Sequence, residues 1–284
     1  MALSLAVLLS LGFGYLAVSL VFAARQEALF FKPRRALSAL PEAVGLACED
    51  LALTAPDGVS LHAWWVPGPA SPAPGLPGRF FTLLYLHGAN VNLGDRLDAL
   101  RFWHDLGFDV LALDYRGYGR SGGRASEAGL HRDVQTAWDW LAGRRAIPAG
   151  RIMIAAESMG VSLALALAGA QRPAGLVLEA GFTRAADVAA RRYPWLPVRL
   201  LCRLQLAAED LIGGVRSPKL LVHSVDDRVV PISLGRRLER RAAPPCRLLK
   251  VRGAHARACV EGGPRYRDGL CRWLEALEMR DGVA

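Results

Sequence analysis

From residue 49 onward, apolar runs alternate with amphipathic segments, and the period of each run predicts its element. EDLALTA and VSLHAWWV, split by the turn PDG, predict a β-hairpin. PGPASPAPGLPG, 67–78, reads as a loop or linker, and FFTLLYLH as the strand after it. Then follow a helix near 94–106, the strand FDVLALD, a helix near 127–142, the strand RIMIAA and a helix after residue 158. The strands AGLVLEA, KLLVHS and CRLLKVR complete the series. Strands separated by helices imply right-handed crossovers, so the expected fold class is α/β, a mainly parallel central sheet with helices on both faces. The hairpin adds an antiparallel edge.

Two segments fall outside this alternation. Residues 181–216 are too long for a simple strand connection and predict two short helical pieces around PWLP, forming a small helical lid. Residues 2–24 carry no Asp, Glu, Lys, Arg or His, which meets the ~20 apolar residues a transmembrane helix needs. The expected organisation is an N-terminal transmembrane anchor at 1–26 and one folded domain at 27–284. A cleaved signal peptide with VFA at 21–23 as its cleavage site is the alternative, and it makes the protein secreted or periplasmic. The retained anchor is favoured because no Lys or Arg precedes the run, and the run exceeds the usual h-region of ~7–15 residues. Arg25, Lys32, Arg34 and Arg35 follow the span, so the positive-inside rule puts the folded domain on the cytoplasmic face.

The net charge of +9 comes mostly from arginine, with lysine only at 32, 219 and 250. Arg184, Arg191, Arg192, Arg199 and Arg203 suit either a solvated face or contact with anionic lipid headgroups. No interleaving of basic and aromatic residues and no nucleic-acid module is present, so DNA and RNA are not expected partners. The five cysteines form no CxxC pair and are odd in number, which fits buried free thiols in a reducing compartment and suggests no metal site. The sequence specifies no oligomeric state.

In a parallel sheet, ligands bind beyond the carboxyl ends of the strands. Those ends read HGAN, DYRGYG, ESMG, EAGF, SVDDR and GAH. Ser158, in AESMG, directly ends one apolar run and opens a helix, the strand–turn–helix setting that exposes a serine hydroxyl to a base. Ser121, in GRSGG, matches G-x-S-x-G literally, but it sits in a glycine-dense loop with no helix directly after it and reads as an ordinary loop hydroxyl. Ala156 occupies the first glycine position at Ser158, and Gly160 keeps the later one free for close packing.

A nucleophilic serine needs a base. Of six histidines only His255 follows the final strand; His62 lies in a strand pattern, His104 and His131 on helices, His223 in a strand and His87 in the HG turn. The base in turn needs an acid to hold its tautomer. Asp227, entering the loop after KLLVHS, is the choice, with Asp226 and Glu179 in reserve.

Ser158, Asp227 and His255 follow the nucleophile–acid–histidine order of one triad class. On these residues, and on LYLHGANVNLGDRL, LALDYRGYGRSGG, AESMG, RRYPWLPVRLL, HSVDDRVVP and GAH, the chain from about residue 27 resembles the α/β-hydrolase superfamily. The resemblance is to its membrane-anchored, serine aminopeptidase-like group. The sequence departs from that pattern at Ala156 and in HGAN, where relatives tend toward HGN. The oxyanion hole is expected from the backbone N–H groups of Ala89 and Met159. No cofactor is required.

The expected function is hydrolysis of carboxylic esters or thioesters, on a small acyl substrate that is apolar or lipid-like and near a membrane. Tyr193, Trp195, Leu196 and Leu200 are candidates to line its pocket, with packing of the lid onto the sheet as the other reading. A serine aminopeptidase uses the same triad and needs a negative subsite, for which the lid offers Asp187, Glu209 and Asp210. A non-catalytic membrane-tethered binding protein on the same fold is a third possibility.

Overall fold

The computed structural model describes residues 2–69 and 78–281, so most of the proline-rich stretch lies outside the described residues. The uncharged run forms one helix, α1 (Ala2–Phe30), that continues past residue 26 into the folded domain without a break. Its length and composition suffice to cross a membrane. From Ser19 onward one face of α1 is covered: Ser19, Phe22 and Gln26 are buried.

The hairpin strands β1 (Glu49–Thr54) and β2 (Ser60–Val66) are followed by β3 (Thr82–Leu86), α2 (Leu97–Asp105) and β4 (Asp109–Leu113). Next come α3 (Glu127–Asp139), β5 (Ile152–Glu157), α4 (Met159–Gln171) and β6 (Gly175–Glu179). The lid holds α5 (Ala185–Arg192), α6 (Val198–Leu201) and α7 (Ala208–Leu211), three short helices rather than the two expected. The chain closes with β7 (Lys219–Ser224), α8 (Ile232–Arg241), β8 (Cys246–Val251), α9 (Ala258–Glu261) and α10 (Gly263–Asp281).

The sheet order is β1-β2-β4-β3-β5-β6-β7-β8. β1–β2 and β2–β4 are antiparallel and every other pair is parallel, so the hairpin forms the antiparallel edge. β3, β5, β6 and β7 are buried along their whole length, as a sheet covered on both faces requires. One face packs Leu130, Val134, Leu163 and Leu238 from α3, α4 and α8. The opposite face packs Leu97, Trp103, Leu270 and Leu274 from α2 and α10. α4 is apolar nearly all round and is correspondingly buried on all sides. The five cysteines are free and half-buried rather than fully buried.

The chain order reverses between β3, whose crossover leads to β4 on one side, and β5 on the other, where Leu86 pairs with Ala156. That switch point opens a crevice at the carboxyl edge between neighbouring strands. The loops bearing Gly88 and Ser158 both leave from it.

Candidate active site

Ser158 sits between β5 and α4 with φ +52° and ψ −110°, a positive-φ conformation that non-glycine residues adopt at a cost of about 1–3 kcal/mol. Tight packing enforces the turn. A Cβ on Gly160 would come within 2.6 Å of the Leu86 carbonyl oxygen, and one on Gly88 within 3.4 Å of the Ser158 Cβ. Ala156, at the position of the missing glycine, fits buried opposite Leu86.

β7 and β8 are parallel neighbours, so the loops after them emerge side by side. They bring Asp227 and His255 to Ser158: His255 Nε2 lies 3.0 Å from Ser158 Oγ, and His255 Nδ1 lies 2.7 Å from Asp227 Oδ2. Asp227 Oδ1 accepts the N–H groups of Val229 and Val230, each at 2.8 Å. Burial pushes the Asp227 carboxyl upward, but its hydrogen bond to His255 and these amides outweigh that and leave it below the usual carboxylate value. Of the reserves, Asp226 is half-exposed and meets Arg252 at 3.6 Å. Glu179 accepts the N–H of Ala258 at 2.7 Å and so steadies the loop that carries His255.

His62 and His223 have partners of their own. His62 lies 2.9 Å from Asp50 and 3.1 Å from Asp114, and His223 Nε2 bonds the Val230 carbonyl at 2.8 Å. Ser121 is a buried strut: it donates to the Asp114 carbonyl at 2.6 Å and accepts the His62 N–H at 2.8 Å.

Met159 opens α4, so its N–H has no partner within the helix and is free to face Ser158 Oγ. The Gly88 carbonyl lies 2.8 Å from His87 Nδ1, and because a trans peptide sets N–H opposite C=O, the Ala89 N–H points away from His87. The Ala89 carbonyl accepts Tyr118 Oη–H at 2.9 Å and the Lys32 N–H at 3.3 Å, which fixes the loop.

Beneath Ser158 is a cluster that no local sequence pattern announces. Glu157 takes the Arg96 Nε–H at 2.7 Å and a short hydrogen bond from Tyr85. It stands beside Glu179 on the neighbouring strand. Burial, and then the charge of Glu157, push the Glu179 carboxyl up to about 8.

A cavity of about 650 Å³ opens above Ser158 and His255. Its apolar wall includes Phe182, Val188 and Tyr193, together with Phe22, Leu29 and Phe30 of α1. Of the pocket candidates only Tyr193 lines it. Leu196 packs under α1 against Phe22, while Trp195 and Leu200 face outward because the lid segment turns its other side to α1. At Phe22 the sequence does not announce this wall, since no position in a uniformly apolar run stands out. Lys32, Arg96, Arg191, Arg192 and Arg228 also line the cavity, and no carboxylate does among the described residues. The lid acids are engaged elsewhere: Asp187 with Thr183 and Arg199, Glu209 with Arg237, and Asp210 with Arg184.

A family model described as serine aminopeptidase, S33, matches residues 81–211. An uncharacterized protein of Mycobacterium tuberculosis is 36% identical over 210 residues, covering 73% of this chain and 72% of its own. The alpha/beta hydrolase domain-containing protein WAV2 of Arabidopsis thaliana is 29% identical across 93% of this chain and 92% of its own. Among solved structures, an esterase of Pyrococcus furiosus superposes with a TM-score of 0.70 at 18% identity, covering 87% of this chain and 98% of the esterase. That likeness speaks to fold alone. The chain belongs to the α/β-hydrolase superfamily.

Proposed function

We propose that the protein is a serine hydrolase of carboxylic esters or thioesters, tethered to a membrane by α1. The observation that carries this reading is the Ser158–His255–Asp227 relay, with spacings of 3.0 and 2.7 Å, at the floor of a largely apolar cavity. Ser158 Oγ attacks the acyl carbonyl while His255 Nε2 takes its proton, and Asp227 stabilises the imidazolium. The oxyanion is received by the Met159 and Ala89 N–H groups. His255 then protonates the departing alkoxide or thiolate as the carbonyl bond to it breaks. Water, deprotonated by the same histidine, attacks the acyl-enzyme and releases the acid and free Ser158.

An aminopeptidase requires a carboxylate for the substrate ammonium. The cavity's cationic lining favours the ester reading over that one. Labelling of the full chain by a fluorophosphonate, with turnover of p-nitrophenyl esters, acyl-CoAs and aminoacyl amides, is the test. Ester or thioester turnover that falls by about 10⁶ in Ser158→Ala is expected. A folded protein that neither labels nor turns over any of these substrates is a binding scaffold, and amide-only turnover makes it a peptidase.

A further inference from the structure

We propose that the α5–α6 edge of the lid inserts into the membrane beside α1, and that the cleft between them admits an acyl ester bearing an anionic group directly from the leaflet. This rests on the serine hydrolase reading and specifies its substrate and where that substrate comes from.

The geometry of α1 sets the depth. Its first contact with the lid is Tyr15, whose hydroxyl donates to the Trp195 carbonyl at 3.1 Å, and Ser19, Phe22 and Gln26 continue down the same helical face. Gln26 accepts the Arg203 N–H at 2.6 Å, and Phe22 meets the Tyr193 ring edge-on at 5.8 Å. Only the stretch from Ala2 to Gly14 therefore projects clear of the domain, a length of about 20 Å at 1.5 Å per residue. The hydrocarbon core of a bilayer is about 30 Å thick. The uncharged run extends to residue 24, about 35 Å along the helix, and spans that thickness only if the part lying against the lid is also in the membrane. The lid segment beside it then lies at the same depth.

What that segment exposes suits such a position. Leu200 is 87% exposed and Trp195 57%, and Trp195 is the exposed one among the seven tryptophans. Arg191, Arg192, Arg199 and Arg203 are exposed around them. Tryptophan with leucine inserted below a ring of arginines is the arrangement of an interfacial helix at anionic headgroups.

The cavity continues the same seam. Phe22 and Phe30 from α1 and Tyr193 from the lid enclose its apolar part, which accepts an acyl chain. Lys32, Arg191, Arg192 and Arg228 line it too, and none of these four forms an ion pair among the described residues. They offer a site for an anionic group on the ester's other end, and the lining offers no carboxylate to a cationic one.

Two measurements on the full-length protein test this. In vesicles of phosphatidylcholine and phosphatidylglycerol, brominated acyl chains should quench tryptophan fluorescence in the wild type and distinctly less in Trp195→Phe. Equal quenching in the two proteins overturns insertion. Separately, Leu200→Glu should lower hydrolysis of a long-chain anionic ester embedded in those vesicles by about tenfold or more, the effect of withdrawing one leucine from an apolar phase. The same variant should hydrolyse a short water-soluble ester, and label with fluorophosphonate, at the wild-type rate. Unchanged vesicle hydrolysis, or an equal fall on both substrates, overturns the leaflet route. A wild type that turns over a neutral embedded ester as well as the anionic one overturns the anionic preference. Failure of the wild type to label at all defeats the hydrolase reading instead.

Discussion

Asp227 holds His255 through one carboxylate oxygen, 2.7 Å from Nδ1, while its other oxygen takes two backbone N–H groups from the turn that follows. Both oxygens are therefore committed. An amide in that place has one acceptor oxygen, and the two backbone donors claim it, which turns an NH2 toward the imidazole and favours the wrong tautomer. Asp227→Asn should fold normally and lose about 10⁴ in kcat. Asp226→Asn should stay near the wild-type rate because its side chain faces solvent and Arg252. Steady-state ester hydrolysis distinguishes the two; equal losses refute the assignment of Asp227.

Ser121 makes the opposite case, a literal motif match with a load on the fold. Its hydroxyl ties the Asp114 carbonyl to the His62 N–H, both inside the protein. Ser121→Ala leaves a buried N–H without its acceptor and should cost about 1–3 kcal/mol in chemical denaturation. Fluorophosphonate labelling of Ser158 should proceed at the wild-type rate, and loss of labelling in the folded variant contradicts this.

The positions of Ser158, Asp227 and His255 are legible because each lies in the turn or loop that leaves an apolar run, and a parallel sheet collects such positions at one edge. Glu179 shows where legibility ended. Chain order makes it a reserve acid, but its environment depends on register: β5 and β6 pair so that Glu157 and Glu179 are side by side, and nothing local in either strand announces that. Trp195 marks a second limit. In a segment as short as PWLP no periodicity distinguishes a residue facing the cavity from one facing out. Phe22 marks a third, because a run that is apolar on every face gives no sign of which side another element will cover.

The register of Glu179 carries a pH dependence. Its pKa rises from 4.5 to about 8 on folding, so the folded state holds a proton that the unfolded state releases between those values. The stabilisation is complete below 4.5 and is lost as pH rises through about 8. Glu179→Gln keeps an oxygen for the Ala258 N–H and removes the ionisation. The drop in Tm between about pH 6 and about pH 9 should shrink by roughly half or more in the variant. An unchanged drop means Glu179 does not hold the proton.

Phe22 and Val21 are adjacent on α1, yet Phe22 is 5% exposed against the lid and lines the cavity while Val21 is 59% exposed. If α1 were only a tether, alanine at either position would leave catalysis alone. As a wall of the cavity, Phe22 borders, opposite Tyr193, the space the proposed acyl chain would fill. Phe22→Ala should lower kcat/KM on the best wild-type ester by about tenfold or more, and shift the optimum to a longer acyl chain that fills the vacated space. Val21→Ala should match the wild type across the whole series. Chain-length profiles measured in detergent, where membrane delivery plays no part, separate the wall from the tether: coincident profiles for both variants leave α1 with no role beyond attachment.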